Sequence, residues 1–518
     1  MEGSAAVAAS GRSRERRENR ALVFVGFMGA GKSSAARHVA AALGVAAFDS
    51  DREVERRTGE RIQTIFDRDG EAAFRATEER VILELLERDD ARVVALGGGA
   101  LASERVRAAL TAHTVVHLEV EPETAWRRAS GRGRPLARDR RAFEALHAQR
   151  GRLYATAADA TIPPVDRSAW QRTLPAIRAL GAAPHGTRLV WATASSGDYP
   201  VFLGRGLWDT FFYPRDGRRF AVTDENVARH HRLAGEGHTI AAGEQSKTLA
   251  SAEQALRAMA RAGLTRGDVV AAVGGGVVGD LAGFCAATYQ RGIRYVQMPT
   301  TLVAQVDSAY GGKTGVDLPE AKNYVGAYHQ PSAVLVDPAV LETLPAAELA
   351  AGYAEVVKTA LIAGGELWSR VRSRADPDDE VIWQCLRTKL AVVAEDERDA
   401  GRRQVLNLGH TVGHAIEVAT GYRRYRHGEA VAIGLLCALR LSGADELREE
   451  VAELLASCGL PLRFEGAEVD EVVGLVARDK KRRGDAVPFV LVEAPGRVTP
   501  DHVVAESDLR AAVAEVRG

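Results

Sequence analysis

The chain has 518 residues and a formal net charge of −1, because 68 Lys and Arg residues nearly balance 69 Asp and Glu residues. Hydrophobic residues make up 46% and charged residues 26%, which is typical of a folded globular protein and excludes a wholly disordered chain. The balanced charge gives no sign of a nucleic-acid partner, and no apolar run reaches the roughly 18 residues that cross a membrane. Four cysteines without a CxxC pair argue against a disulfide framework and favour the reducing cytoplasm.

The first part of the chain alternates apolar strands with helical stretches. Residues 1–20 are small and then charged, without the apolar segment of a secretory signal, and predict a disordered tail. The elements that follow are a strand over residues 21–26, a helix over 33–43, and strands over 93–96 and 114–120. This alternation predicts a doubly wound α/β domain with a parallel sheet.

Residues 26–33, with the sequence GFMGAGKS, follow the first predicted strand and open the first predicted helix. The spacing is that of a phosphate-binding loop, in which backbone N–H groups close around phosphate oxygens. In that role Gly29 and Gly31 supply the turn, Lys32 reaches the β- and γ-phosphates, and the Ser33 hydroxyl ligates Mg²⁺. The motif predicts a site for ATP with Mg²⁺, the alternative being a chance glycine-rich turn.

Further motifs indicate the group that accepts the phosphate. They are Asp49-Ser50-Asp51, Arg75 after Ala73-Phe74, Gly97-Gly98-Gly99 after a strand, and Arg134-Pro135-Leu136. With the phosphate-binding loop they resemble shikimate kinase over roughly residues 21–165. The resemblance implies that Asp51 holds the acceptor hydroxyl and acts as base, and that Asp49 helps to position Mg²⁺. It also implies that Arg75 and Arg150 clamp the substrate carboxylate, while Gly97, Gly98 and Gly99 approach the substrate ring. A small acidic alcohol requires such a clamp, because each charge-assisted hydrogen bond contributes about 1.5–3 kcal/mol.

Arginines crowd the segment from residue 127 to residue 141. They are Arg127, Arg128, Arg132, Arg134, Arg138, Arg140 and Arg141. Alone, such a stretch indicates a solvated basic face or an RNA-binding patch. The resemblance implies instead a lid that closes over ATP, in which Arg134 stabilises charge on the transferred phosphoryl group.

The second part of the chain begins after a change in composition. Prolines and glycines concentrate between residues 163 and 186, which predicts a linker over 166–186 that could carry a short helix at 169–180. Strands are then predicted at residues 220–223, 269–273 and 295–298, and helices at 348–362, 381–394 and 446–458. We therefore expect an α/β lobe over residues 187–340 and an all-α lobe over residues 341–518.

A second glycine-rich motif, Gly274-Gly275-Gly276, follows the predicted strand 269–273. Glycines at this position let a pyrophosphate approach backbone N–H groups, although the GxGxxG spacing is lacking. Its companions are residues 243–247 (GEQSK), 299–301 (PTT), 311–315 (GGKTG) and 322–323 (KN).

Residue types that ligate metals occur further along, at Glu355, His410, His414 and His427. One carboxylate and two imidazoles with an open position commonly hold a catalytic zinc ion. Spacing alone pairs His410 with His414, because residues at i and i+4 share a helix face.

Together these motifs resemble 3-dehydroquinate synthase over roughly residues 187–518. The resemblance implies that Glu355, His410 and His427 ligate Zn²⁺ or Co²⁺, with His414 near the substrate phosphate. It implies contacts with NAD⁺ from Asp224, Asn226, Glu244, Lys247, Gly275, Gly276, Asp280, Thr300 and Thr301. It implies anion-binding positions at Lys313, Lys322, Lys358, Lys389, Arg403 and, across a subunit boundary, Arg291, with polar contacts from Asp307, Asn323 and Asn407. Catalytic roles are expected for Lys313, Lys358, His414, Asn407 and Arg403, and Lys480 and Lys481 are a further candidate pair.

The combined expectation is an α/β protein with two catalytic parts. A P-loop kinase domain of the nucleoside-monophosphate-kinase type, with a parallel sheet, precedes a synthase that has a Rossmann-like NAD lobe and an all-α metal-binding lobe. We expect ATP-dependent phosphorylation of shikimate, and conversion of 3-deoxy-arabino-heptulosonate 7-phosphate to 3-dehydroquinate, in a homodimer formed by the synthase part. One alternative is another sugar phosphate cyclase, whose substrate lacks the carboxylate, and Lys389 and Arg403 argue against it. Another alternative is a regulatory or scaffold protein with an inactive site. The intact Lys32, Asp51 and Glu355 argue against it.

Overall fold

The computed structural model describes residues 20–130, 139–165, 169–233, 235–373, 376–477 and 488–518. The chain divides into two compact units, of which the first ends at Trp191 and the second begins at Ala192. Among the helices of the described residues, none is both long and apolar enough to cross a membrane.

A parallel sheet forms the centre of the first unit. Its strands are β1 (Leu22–Val25), β2 (Ala47–Asp49), β3 (Val93–Ala95), β4 (Thr114–Leu118), β5 (Ala160–Ile162) and β6 (Arg188–Ala194), which begins in this unit. The strand order is β2-β3-β1-β4-β5-β6, and Leu22 of β1 lies opposite Val93 of β3 and Thr114 of β4. Nearly every residue of β1, β3 and β4 is buried, as expected of parallel strands that helices cover on both faces. The strand predictions for this unit are confirmed to within two residues at each end.

Helices connect these strands. They are α1 (Lys32–Leu43), α2 (Ser50–Thr58), α3 (Ile62–Leu86), α4 (Glu104–Leu110), α5 (Pro122–Ala129), α6 (Arg140–Ala157) and α7 (Ala169–Ala179). Helix α1 starts after Gly31 and ends at Gly44, whose φ angles of 94° and 68° lie in the left-handed region that favours glycine. Helix α3 bends at Gly70, which leaves helical geometry with φ 81° and ψ 173°.

Helix α7 lies inside the predicted linker but contributes to the core of the first unit. The ring of Trp170 contacts Phe24 of β1 edge to face, with 5.6 Å between the ring centroids. Thr173 and Ile177, one turn apart on the helix, are also buried. The packing of the first unit therefore continues past residue 165, and residues 166–168 of the predicted linker lie outside the described part of the chain.

Parallel strands also organise the α/β part of the second unit. Its strands are β7 (Gly197–Leu203), β8 (Arg219–Asp224), β9 (Glu236–Ile240), β10 (Val269–Gly274), β11 (Arg294–Pro299) and β14 (Ala333–Val336). They lie in the order β7-β14-β11-β10-β8-β9, with Val270 of β10 opposite Phe220 of β8 and Tyr295 of β11. A separate antiparallel hairpin consists of β12 (Lys313–Leu318) and β13 (Ala321–Tyr328).

The helices of the second unit continue to the end of the chain. They are α8 (Leu207–Thr210), α9 (Glu225–His230), α10 (Leu249–Arg261), α11 (Gly276–Thr288), α12 (Ala346–Ala363), α13 (Gly365–Arg372), α14 (Asp379–Glu395), α15 (His410–Ala419), α16 (His427–Leu441), α17 (Asp445–Ser457), α18 (Val469–Ala477) and α19 (Glu506–Glu515). The described residues from Ala346 onward are mainly helical, as the sequence predicts, and also contain a hairpin of β15 (Pro488–Ala494) and β16 (Arg497–Val503). This hairpin was not predicted, because β16 carries Pro500 and Asp501, two residue types that strands disfavour.

Candidate functional site

The phosphate-binding loop joins β1 to α1 in the first unit. The Lys32 side chain folds back over this loop, and its Nζ donates hydrogen bonds to the carbonyl oxygens of Gly26 (2.8 Å) and Phe27 (3.1 Å). Gly29 and Gly31 have φ angles of 86° and 94°, which a residue with a side chain would adopt only under strain. Lys32 and Ser33 form the first turn of α1, where free N–H groups and the helix dipole attract phosphate.

The two predicted acids lie at the start of α2. Asp49 ends β2, and its Oδ1 accepts hydrogen bonds from the N–H groups of Asp51 (3.1 Å) and Arg52 (3.3 Å), so that it caps the helix. Because β2, β3 and β1 are parallel neighbours, their carboxyl ends meet at one edge, next to the phosphate-binding loop. A Cβ on Gly97 would lie 2.5 Å from Oδ1 of Asp51, so only glycine allows this close approach.

Arg75 is fixed by two carboxylates of its own helix. Its Nη1 donates to Oε2 of Glu78 (2.5 Å) and its Nη2 to Oε1 of Glu71 (3.0 Å). Burial alone would lower the pKa of Arg75, but the charges of Glu78 and Glu71 raise it above the ordinary value. The charged guanidinium lines a cavity of about 250 Å³, together with Gly99 and other residues.

The carbonyl oxygen of Gly98 is shared by two side chains from α6. It accepts hydrogen bonds from Nη1 of Arg150 (3.0 Å) and from the hydroxyl of Tyr154 (2.5 Å), which lies one turn further along the helix. Burial lowers the pKa of Arg150 and raises the pKa of Tyr154 to about 12. The structure thus brings Arg150, which the resemblance assigns to the substrate carboxylate, to the glycine turn, and adds Tyr154, which the sequence analysis missed.

Arg134 and the rest of the predicted lid over residues 131–138 lie outside the described residues. Of the neighbouring arginines, Arg128 donates from Nη1 to the carbonyl oxygen of Gly29 (2.9 Å) and so contacts the phosphate-binding loop. Arg140 is paired with Glu123 and Glu144.

The second glycine motif lies between β10 and α11 in the second unit. The Thr300 N–H donates to the carbonyl oxygen of Gly274 (3.0 Å), and a Cβ on Gly275 would lie 3.0 Å from the Thr301 side chain. Gly276 begins α11, so the N-terminus of this helix faces the turn in the manner of a pyrophosphate site. The predicted contacts Gly275, Gly276, Thr300 and Thr301 are therefore brought together.

Lys247 connects several predicted positions around this motif. Its Nζ donates to Oδ2 of Asp280 (2.5 Å) on α11 and to Oδ1 of Asn323 (2.6 Å) on β13. Burial would lower the pKa of Lys247, but Asp280 and Glu244 raise it. Asp224, by contrast, caps α9 by accepting from the N–H groups of Asn226 and Val227, 2.8 and 3.0 Å away.

The predicted metal ligands converge in the helical lobe. Glu355 is fully buried on α12, and its Oε1 lies 3.5 Å from Nε2 of His410 and 3.3 Å from Nε2 of His427. Lys358 Nζ lies 2.5 Å from the other oxygen, Oε2, so one oxygen is paired with a lysine and the other faces two imidazoles. A buried carboxylate aimed between two imidazoles is a donor set that fits Zn²⁺ or Co²⁺.

His414 belongs to the same cluster. Its ring centroid lies 5.3 Å from that of His410 and 5.8 Å from that of His427, and ligand atoms of the three histidines lie within 4.8 Å of one another. The helix face shared by His410 and His414, which their spacing indicated, is thus real. His414 therefore lies beside the nitrogen atoms of His410 and His427 that would hold a metal ion.

The charges of this cluster depend on one another. Burial, with the nearby Lys358, lowers the pKa of His410 to about 3, which leaves this imidazole neutral, as a metal ligand must be. Burial opposes ionisation of Glu355, but Lys358 and the two histidines lower its pKa well below the ordinary range. The carboxylates of Glu355 and Glu417 outweigh burial and raise the pKa of His427 to about 10.

Several predicted cations lie close to the metal cluster, each with an acidic or carbonyl partner. Asp307 accepts a hydrogen bond from Lys358 on Oδ2 (3.2 Å) and one from Lys389 on Oδ1. Burial lowers the pKa of Lys389 to about 8, against the pull of Asp307. The fully buried Arg403 donates to the carbonyl oxygen of Gly311 (3.3 Å), next to the GGKTG segment.

The remaining predicted positions are Lys313, Asn407, Arg291, Lys480 and Lys481. Lys313 is paired with Asp399 at 2.6 Å, on the exposed side of the hairpin. Asn407 ends the turn before α15, and Arg291 is exposed with a φ of 66°. Lys480 and Lys481 lie outside the described residues.

Glu417 is the main acidic residue that the sequence analysis missed. It is 3% exposed, and its Oε2 lies 3.4 Å from Nδ1 of His427. Burial would raise its pKa, but His427 and Lys322 lower it to about 2. The signal was present in the sequence, because His410, His414 and Glu417 follow the i, i+4, i+7 spacing of one helix face.

Comparison with known proteins gives matches on both units. The sequence model of the shikimate kinase family matches residues 28–177, and those of the N-terminal and C-terminal parts of 3-dehydroquinate synthase match residues 237–351 and 352–482. The 3-dehydroquinate synthase of Halorhodospira halophila is 43% identical over 333 residues, which are 60% of this chain and 94% of that protein.

Two solved structures resemble one part of the chain each. The 2-epi-5-epi-valiolone synthase of Streptomyces hygroscopicus subsp. jinggangensis, solved with NAD⁺ and Zn²⁺, is 27% identical with a TM-score of 0.57, covering 63% of this chain and 98% of that one. The shikimate kinase of Acinetobacter baumannii, solved with shikimate, is 36% identical and covers 30% of this chain and 92% of that one, with a TM-score of 0.29.

Proposed function

Since this chain belongs to the 3-dehydroquinate synthase family and carries a shikimate kinase domain ahead of the synthase part, we propose that each of its two units catalyses one reaction of the shikimate pathway. The chain is a bifunctional enzyme. Its first unit phosphorylates shikimate with ATP and Mg²⁺ to give shikimate 3-phosphate. Its second unit converts 3-deoxy-arabino-heptulosonate 7-phosphate to 3-dehydroquinate and inorganic phosphate.

In the first unit we assign the nucleotide to the loop between β1 and α1. Lys32, now bound to its own loop carbonyls, reaches the phosphates when they displace those contacts, and Ser33 and Asp49 would hold Mg²⁺. Asp51 accepts the proton of the shikimate hydroxyl as its oxygen attacks the γ-phosphorus and ADP leaves. Arg75 and Arg150 bind the carboxylate and orient the ring against Gly97 to Gly99. Arg134 is assigned to the charge on the transferred group.

In the second unit the cofactors are NAD⁺ and Zn²⁺ or Co²⁺, as in the related cyclase solved with NAD⁺ and Zn²⁺. NAD⁺ supplies a reversible hydride acceptor, and the metal supplies a Lewis acid beside the reacting oxygen. We assign the metal to Glu355, His410 and His427, and NAD⁺ to the turn at Gly275 and Gly276.

The substrate of the second unit carries a carboxylate and a phosphate, and the surrounding cations match this charge. Lys358 and Lys389 share the carboxylate of Asp307, so an arriving anion can take over part of their hydrogen bonding without leaving Asp307 unpaired. Arg403 is held by backbone carbonyls, which orient it without neutralising it. His414 and Lys322 are assigned to the phosphate, Lys313 to the mouth of the site, and Asn323 and Asn407 to the hydroxyl groups.

The observation that carries the synthase assignment is the state of Glu355. A fully buried carboxylate has its Oε1 within 3.5 Å of two imidazole nitrogens, while Lys358 is paired with its Oε2. Oε1 and the two Nε2 atoms therefore converge as the ligands of one metal ion do. Lys358 supplies a positive charge at one oxygen and leaves the side facing the two histidines to the metal.

The full chain, purified and assayed with each substrate, tests this assignment. We expect ADP formation that depends on shikimate and Mg²⁺, and phosphate release from the heptulosonate phosphate that depends on NAD⁺ and the divalent metal. Preferential turnover of a heptulose 7-phosphate without the carboxylate would make the second unit another sugar phosphate cyclase. A chain that turned over neither substrate and bound no metal would be a scaffold.

We also propose that the protein is a cytoplasmic homodimer joined through the synthase unit. None of the four cysteines forms a disulfide bond, which suits a reducing compartment. Arg291 is exposed, as a residue that reaches a neighbouring subunit would be. Light scattering during size-exclusion chromatography tests the dimer, and a monomer with full synthase activity would contradict it.

A further inference from the structure

The carboxylate of Glu417 lies between a predicted metal ligand and a predicted substrate ligand. Its Oε2 is 3.4 Å from Nδ1 of His427, and its Oε1 is 3.4 Å from Nζ of Lys322. Each oxygen therefore has its own partner. The Glu417 side chain is 4% exposed, whereas those of His427 and Lys322 are 38% and 26% exposed, so a buried carboxylate meets two partners that reach solvent.

The two partners belong to different parts of the second unit. His427 begins α16 in the helical lobe, whereas Lys322 lies on β13 of the hairpin next to the cofactor sheet. Lys322 also lies 3.4 Å from Oε1 of Glu244 and 4.1 Å from the centre of the Tyr422 ring. Glu417 is thus a direct polar link between the helix of a metal ligand and the hairpin that carries an anion-binding lysine.

The contact to Nδ1 has a chemical consequence for His427. A carboxylate at Nδ1 holds a proton on that nitrogen, so that Nε2 is the nitrogen left to bind a metal ion once the ion displaces its proton. Nε2 is the atom that lies 3.3 Å from Oε1 of Glu355. The ring is therefore oriented with Nε2 toward the other candidate ligands.

We propose that Glu417 is a positioning residue that holds His427 for the metal through one oxygen and Lys322 for the substrate phosphate through the other. This inference rests on the proposed synthase function of the second unit. Loss of the carboxylate weakens two properties at once, the affinity for the divalent ion and the affinity for the anionic substrate. Loss of the Lys322 contact alone weakens only the second.

Titration of the metal-free full chain with Co²⁺, read from the visible absorption of the bound ion, tests the proposal. In Glu417→Gln the amide can serve one partner as an acceptor but not both, and we expect Co²⁺ affinity to fall about 10–100-fold with a changed spectrum. The KM of Glu417→Gln for the heptulosonate phosphate, measured at saturating metal, should also rise. Lys322→Met should raise that KM and leave Co²⁺ affinity unchanged.

Glu446→Gln is the matched control, because Glu446 is exposed on α17 and the same chemical change there should alter neither property. Circular dichroism melts check folding, and if Glu417→Gln does not fold, Glu417→Asp keeps the charge, shortens the reach and should weaken Co²⁺ in the same direction. Co²⁺ affinity and spectrum identical to those of the unaltered chain in a folded Glu417 variant would overturn the inference alone. Failure of the unaltered chain to bind Co²⁺ would overturn the proposed synthase function and the inference with it.

Discussion

Gly99 lies directly against the guanidinium of Arg75, so close that a Cβ on Gly99 would overlap the Cζ and both terminal nitrogens of that side chain. Moving the arginine aside would break the hydrogen bonds that Glu78 and Glu71 accept from its terminal nitrogens. The glycine turn and the assigned carboxylate clamp of the kinase therefore constrain each other.

The first prediction follows from this contact. Gly99→Ala should push Arg75 out of its ion pairs and raise the KM for shikimate about tenfold, a loss of roughly 1.4 kcal/mol of binding. The KM for ATP should not change, because the phosphate-binding loop is not touched. Steady-state kinetics of ADP formation with each substrate varied in turn provide the measurement.

Gly181→Ala is the control for this substitution, because a Cβ at Gly181 would meet no atom within 4 Å. Its kinase constants should equal those of the unaltered chain. An unchanged KM for shikimate in Gly99→Ala would show that Arg75 does not bind the carboxylate.

A second prediction separates the two activities. Lys32→Ala removes the cation assigned to the nucleotide phosphates and should reduce shikimate phosphorylation at least about 100-fold, with synthase turnover retained. His410→Ala removes a metal ligand and should do the reverse. Both assays are run on the same folded preparations, and a single substitution that silenced both reactions would contradict the assignment of the sites to separate units.

The sequence predicted the most apolar elements of the fold and missed several others, among them the seven-residue strands β6 and β7. Strands β1, β10 and β11 are apolar and buried, and their boundaries were predicted to within two residues. Strands β2 and β5 have three residues each, too few to show a period. The short helix foreseen at 169–180 is present as α7, but its packing against the first unit, where a linker was predicted, was not foreseen.

The candidate sites were predictable to the extent that motifs are local in sequence. The phosphate-binding loop and the histidines of α15 could be recognised from spacing. Spacing can indicate an acid near its cation in sequence, such as Glu78 beside Arg75. It does not indicate a distant one, such as Asp399 beside Lys313. Asp399 lies 86 residues from its lysine, and only the folded chain brings them together.

A third prediction concerns removal of the metal. A chelator with little affinity for Mg²⁺, such as pyridine-2,6-dicarboxylate, should abolish synthase turnover when Mg²⁺ is present in excess, while the kinase stays active. Without a transition-metal ion, Glu355, His410 and His427 lose the ion that joins them. Added Zn²⁺ or Co²⁺ should restore turnover, and phosphate release that persisted in the metal-free chain would contradict the assigned site.

The last prediction concerns Glu397, a buried acid of the second unit that stabilises the structure around Arg403. Its carboxylate accepts hydrogen bonds from Ser195, from Ser196 through both N–H and hydroxyl, and from Gln330 Nε2 (2.8 Å). Burial would raise the pKa of Glu397, but these donors lower it to about 2. A depressed pKa in the folded state contributes stability above the unfolded value of about 4.3, and this contribution is lost as the pH falls toward 2.

Glu397→Gln should therefore lower the free energy of unfolding by about 1.5–3 kcal/mol at pH 7, and by progressively less between pH 4.5 and pH 2. Urea unfolding followed by tryptophan fluorescence measures the difference, with the exposed Glu395→Gln as a control that should stay within about 0.5 kcal/mol of the unaltered chain. A loss of stability in Glu397→Gln that did not diminish at low pH would mean that the packing of the side chain, and not its charge, stabilises this region.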